Sequence, residues 1–292
     1  MVSVAVILGL VLAFCFGTSD YLSKGLTGKV GFYRTTVYTL AISGAFVLVP
    51  ALLLGIPVQL SYADSALLAL IAVSTFVAFL FMYRGYQKGH LSVVSPTVNS
   101  FPIFSVLFAI FVLRIDISLE VLLALAGVIL GIILVSTNVS ALGSSRRRSL
   151  TPGVPEALLA AFFFAVGFTS LGYADETVGY LFPVLAARLG AASVGLLTGV
   201  ALKQDLAPFG GKPLFRLLAM GALEATGILA FTLALFYSTI NALPITTTLG
   251  GMGVVFTVGY AVVLMKERVG LNYAVGILIL VASVGALLYF TA

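Results

Sequence analysis

Apolar residues in this chain neither alternate with polar ones nor form a single helical stripe. They come in unbroken runs of about 20 residues, separated by short clusters of charge, proline, glycine and asparagine. A helix rises about 1.5 Å per residue, so each run can cross roughly 30 Å of hydrocarbon. Bounding the runs by their charges and breakers predicts ten helices, near 2–23, 32–54, 65–87, 91–113, 118–138, 155–175, 180–202, 214–238, 242–265 and 270–290. Connections are short except for 139–154, which holds Gly143, Arg146, Arg147, Arg148, Pro152 and Gly153 and divides the chain into halves, 1–138 and 155–292. Alternating strands of barrel type are absent, and no stretch suits a soluble domain.

Composition turns this pattern into a class. In 292 residues, 61% are hydrophobic and 9% charged, with a mean hydropathy of +1.20, which no soluble chain shows. The expected fold class is an all-α integral membrane protein with ten transmembrane helices, lying in a lipid bilayer, the cell membrane. A net charge of +5 could suggest nucleic acid, yet the basic residues are scattered over many loops and only Arg146 to Arg148 form a run, so no nucleic-acid partner is expected. Cys15 is the single cysteine and His90 the single histidine, and neither lies among carboxylates at ligand spacing; no metal and no cofactor is expected. The first run lacks a basic leader and a small-residue cleavage pattern, and Phe14 is too bulky for a lipoprotein site at Cys15. It is expected to stay as a spanning helix.

The halves resemble one another at a nearly constant shift. Gly17 matches Gly167 at 150 residues, Tyr86 matches Tyr237 and Asp116 matches Glu267 at 151, and Arg34 falls opposite Arg188 at 154. Five helices per half is an odd number, so the second half enters the membrane from the opposite side. The expected architecture is two inverted five-helix repeats.

Charge inside such runs is where chemistry is sought. Glu224 lies midway along the eighth run, where an ionised carboxylate is costly unless paired or hydrated. It should face protein or water, and by holding a proton in one conformation and releasing it in another it is the candidate coupling residue. Arg188, in the seventh run, is its candidate partner in a structural pair; a free guanidinium would instead suit a carboxylate or phosphate on a substrate. Arg34 near the start of the second run could snorkel to the interface. Asp20 and Tyr21 close the first run, with Asp20 four residues before Lys24 as in a helical ion pair, or else a cation contact at a cavity rim. Pro96 and Pro102 remove two backbone donors from the fourth run, predicting a kinked helix in which Asn99 and Ser100 line a site. The ninth run offers Thr246, Thr247 and Thr248 at the quasi-equivalent place, with Gly250, Gly251 and Gly253 expected chiefly to pack. Tyr83, Arg84, Tyr86, Lys88 and His90 suit an interfacial belt, with Tyr83 also a cavity candidate. Gly127/Gly131 and Gly195/Gly199 have the spacing of close helix contacts, within the fold or across a dimer, so both monomer and homodimer stand.

Several local patterns carry a family resemblance. Phe16-Gly17-Thr18-Ser19 followed by Lys24, Gly89-His90-Leu91-Ser92-Val93-Val94-Ser95-Pro96, the mid-helix Pro102, and Lys266-Glu267-Arg268 resemble segments of the drug/metabolite transporter superfamily, in its EamA-type branch of ten-helix transporters. Phe16 stands where that family usually has tryptophan, Gly167 alone keeps the opening motif in the second half, and Arg114-Ile115-Asp116 is a departed form of the later signature. The resemblance implies a cavity chiefly between the first, third, fourth, sixth, eighth and ninth helices, and small polar metabolites, amino acids foremost, as substrates.

Thirteen of the fifteen Lys and Arg fall on the odd-numbered connections or the helix ends beside them, which by the positive-inside rule places both termini outside; the resemblance implies termini inside. The expected function is secondary active transport by alternating access, with proton coupling at Glu224, and export of drug-like or amphipathic compounds as the alternative. No Walker loop is present to draw on ATP. A membrane enzyme would need HExxH, GxSxG or an equivalent, and a channel would want rings of like charge, neither of which the sequence offers, so no catalytic residue is assigned.

Overall fold

A lone segment in hydrocarbon must satisfy its own backbone, and each apolar run does so as a helix. The computed structural model describes residues 2–54, 61–136, 152–266 and 270–291. In chain order these form α1 (Val2–Val30), α2 (Phe32–Leu54), α3 (Tyr62–Lys88), α4 (Leu91–Phe111), α5 (Leu119–Ser136), α6 (Val154–Thr177), α7 (Leu181–Ala201), α8 (Lys212–Ser238), α9 (Ile240–Val263) and α10 (Leu271–Thr291). Among the described residues, eight helices are long and apolar enough to cross a membrane, and α5 and α10 carry the shorter apolar stretches Leu119–Leu134 and Ala274–Ser283. The chain is thus an all-helical, multi-pass integral membrane protein. The arginine run 146–148, and Glu267 and Arg268 of the later signature, lie outside the described residues.

Packing sets α1 along α8 and α3 along α6; α2 also meets α8, and α7 meets α3. α9 flanks α1, α4 flanks α6, and α5 pairs with α10. A small apolar cluster of Val128, Ile132, Val258 and Leu280 ties this last pair to α9. Lipid gives no hydrophobic drive between helices, so contacts depend on close approach. A Cβ on Gly17 would collide with the Gly253 carbonyl oxygen, which brings α1 and α9 backbone to backbone. Gly131 faces Leu280 of α10, and Gly195 faces Val37 and Phe76, so these spaced glycines pack within the chain.

Two helices are interrupted at mid-depth. α4 consists of Leu91–Val98 and Phe101–Phe111, and α9 contains Leu243–Gly251 and Gly253–Val263. At each break the ladder switches to tight three-residue bonds: Ser100 N–H to Thr97 O and Ile103 N–H to Ser100 O in α4, Met252 N–H to Leu249 O and Val255 N–H to Met252 O in α9. The breaks touch, since a Cβ on Gly251 would stand 3.0 Å from Asn99 O and 2.7 Å from Pro102 Cγ.

The structure departs from the expected elements in two places. α1 does not stop near residue 23 but continues to Val30, where Gly31 with φ +88° ends it. Lys24 does not force the chain into water, because its Nζ donates to the Tyr86 and Gly89 carbonyls at 2.6 and 2.5 Å, the negative end of α3. Nor do Tyr83 and Tyr86 form an interfacial belt: both are fully buried, and only Arg84, Lys88 and His90 of that group are exposed.

Candidate functional site

α8 carries Glu224 at its midpoint, turned inward and 2% exposed. α7 presents Arg188 to it from a π-helical segment, Ala186–Gly190, with the guanidinium 1% exposed. Arg188 Nη2 donates to Glu224 Oε2 at 3.1 Å and to the Glu224 carbonyl at 3.2 Å, and the guanidinium carbon sits 5.1 Å from the Phe79 ring centroid. The pair expected from the sequence is therefore present. Its geometry is incomplete: Arg188 Nε and Nη1, both buried, have no hydrogen-bond partner among the described residues, whereas a buried guanidinium normally uses its whole fork.

Asp20, on α1, is 5% exposed and has a different setting. Its Oδ2 accepts from Ser95 Oγ at 3.4 Å and from Asn99 Nδ2 at 3.5 Å, both from α4 and both at the long limit of a hydrogen bond. Asn99 is held for this by Nδ2 donation to Ser95 O at 2.9 Å, across the interrupted end of the first α4 segment.

Two adjoining cavities lie between these groups. One, of about 20 Å³, is lined by Asp20, Glu224 and Asn99; the other, also of about 20 Å³, by Arg188 and Thr75. Phe16, Phe79, Phe164 and Phe168 wall both. The rings brace one another, Phe101 stacked on Phe168 at 5.2 Å and Phe79 edge-on to Phe164 at 5.2 Å. Each has room for about one water, and the low exposure of the three charges means the structure is closed around them.

The remaining sequence candidates divide. Tyr83 lies within the fields of Glu224, Asp20 and Arg188. Arg34 is elsewhere, paired with Asp205 of the α7–α8 connection. Tyr21 is half-buried against Tyr260 of α9, their centroids 5.1 Å apart. Ser100 returns its hydroxyl to Thr97 O at 2.7 Å, and Thr247 to Leu243 O at 2.7 Å, so both serve their own helices. Sequence reasoning missed the phenylalanine walls and Ser95, and it missed Asp175, whose carboxylate oxygens are buried and unpartnered among the described residues. A Phe164/Phe168 spacing of four on one helix was a signal for the walls, but a faint one among 22 phenylalanines.

At the end bearing the odd-numbered connections the two halves are tied. Lys88 and Arg84 both reach Glu156 at the start of α6, and a Cβ on Gly89 or Gly153 would collide with backbone, of Pro152 and of Gly85 respectively.

The family model for EamA-like transporters matches residues 3–137. No curated protein sequence matches the chain. A solved crystal structure superposes with a TM-score of 0.74 at 16% identity, covering 97% of this chain and 96% of that one. At that identity the likeness is one of fold.

Proposed function

From the match of residues 3–137 to the family of EamA-like transporters, we propose that the chain is a secondary active carrier of small polar metabolites in the cell membrane, amino acids foremost, working by alternating access. The observation that carries this reading is the closed mid-depth cavity whose polar groups come from different helices: Asp20 from α1, Asn99 from α4, Glu224 from α8 and Arg188 from α7. A site assembled that way is remade or dispersed when helices rock, as alternating access needs.

Inverted repeats are supported by the packing plan. Exchanging each helix with the one five places away turns the α1–α8 contact into α6–α3, α2–α8 into α7–α3, and α1–α9 into α6–α4, all of which occur. Proton coupling belongs, on this reading, to the two cavity carboxylates, Glu224 and Asp20. Export of amphipathic compounds is the second reading, favoured by the phenylalanine walls.

Counterflow in proteoliposomes tests the carrier. Vesicles loaded with one unlabelled solute should take up the same labelled solute faster than empty ones, in a panel of amino acids, amines, nucleosides and organic acids. Flux without trans-stimulation across that panel would sink the carrier in favour of a channel.

A further inference from the structure

The two cavities beside the charged groups are small, and their size says what each can hold. Each is about 20 Å³, enough for one water, which needs roughly 10–15 Å³ and two to four polar partners. The same four rings, Phe16, Phe79, Phe164 and Phe168, wall both and leave no room for a larger solute. A purely apolar void stays dry, but neither of these is apolar throughout.

Three polar side chains border the first cavity: Asp20 of α1, Asn99 of α4 and Glu224 of α8. A water there can donate to the carboxyl oxygens and accept from the Asn99 amide, whose direct bond to Asp20 is a long 3.5 Å. Two polar side chains border the second, Arg188 of α7 and Thr75 of α3. Arg188 Nε and Nη1 are buried donors with no acceptor among the described residues. A water accepts from one of them and reaches the Thr75 hydroxyl with its own protons. Charge points the same way. Asp20 and Glu224 stand with Arg188 and with Lys24, one turn along α1 from Asp20, whose ammonium lies on the α3 carbonyls; the Tyr86 hydroxyl is a further donor beside Asp20. Two acids thus stand with two bases, and a neutral occupant leaves that balance as it is.

We propose that each cavity binds one ordered water, the first joining Asp20 and Asn99 to Glu224 and the second joining Thr75 to Arg188. Asp20, Thr75 and Asn99 lie in residues 1–138, and Arg188 and Glu224 in residues 155–292, so both waters tie one half of the chain to the other at mid-depth. A water bridge is nearly as good as a direct hydrogen bond and takes new partners readily. Rocking therefore exchanges these ties instead of stranding charges; that consequence rests on the carrier reading, while the two sites stand on the cavities alone.

X-ray radiolysis makes hydroxyl radicals from water where the water sits, and oxidised side chains are then read by peptide mass spectrometry on the purified full-length chain. Met82, 4% exposed, borders the first cavity and Leu171, 1% exposed, the second. Met220 and Leu40, both 0% exposed, border neither. Met82 should be oxidised well beyond Met220, and Leu171 well beyond Leu40. The near-isosteric Asn99→Leu takes a partner from the first water and should lose the Met82 signal while keeping that of Leu171. Gly167→Ala sets a methyl 3.5 Å from Thr75 Oγ1 in the second cavity and should do the reverse. Met82 no more oxidised than Met220 overturns the first site, and Leu171 no more than Leu40 overturns the second; a variant that fails to fold leaves these wild-type comparisons to decide. None of these outcomes bears on counterflow, so the carrier reading fails only by its own test.

Discussion

Glu224 and Asp20 are both carboxylates at membrane depth, both buried, both bordering the same cavity, and they solve the cost of burial in opposite ways. Glu224 is answered by a guanidinium from a neighbouring helix, which neutralises it within the fold while the pair stands. Asp20 is answered by a hydroxyl and an amide, which solvate without neutralising. The difference separates a carboxylate that ties two helices from one that is only solvated, and only the surroundings, not the residue type, tell them apart.

The largest effect is expected from breaking the fixed pair on one side. Arg188→Leu strands Glu224 and should cost about 3–5 kcal/mol, read as a drop in thermal unfolding temperature in detergent; pairing it with Glu224→Leu should recover most of that loss without restoring counterflow. If the single and double variants unfold alike, the pair does not hold α7 to α8. Next, Glu224→Gln keeps a hydrogen-bond acceptor but removes the neutralising charge, for a loss of about 2–3 kcal/mol. Asp20→Asn should move stability by less than about 1 kcal/mol, since no ion pair is broken, while stopping transport; a destabilisation as large as that of Glu224→Gln would erase the contrast. Smallest of all, Arg34→Ala at the exposed rim should cost about 0.5 kcal/mol, and the loss should shrink in high salt, unlike the buried variants.

Much of this was legible in the chain. The helices follow from run length, because the bilayer imposes one dimension on every span. The Glu224–Arg188 pair follows from the cost of leaving either alone. Asp20 was harder: its i, i+4 relation to Lys24 points along one helix, and says nothing of the lysine's reach to the end of α3 or of the groups of α4 that meet the carboxylate, partners separated by 62 to 79 residues. Hydropathy also cannot separate a phenylalanine facing lipid from one facing a cavity, so the walls of the site were invisible. The same blindness let Tyr83 and Tyr86 pass for an interfacial belt.

The meeting of the two interrupted helices has a mechanical consequence. Where α4 and α9 cross, each has already exchanged its regular ladder for short turns, and Gly251 and Gly253 of α9 stand against Pro102 and Asn99 of α4. Displacement along that crossing shears packing contacts but breaks few backbone hydrogen bonds. Beside Asn99 of the cavity lining, the bundle thus has one crossing where two broken helices meet with little side chain between their backbones.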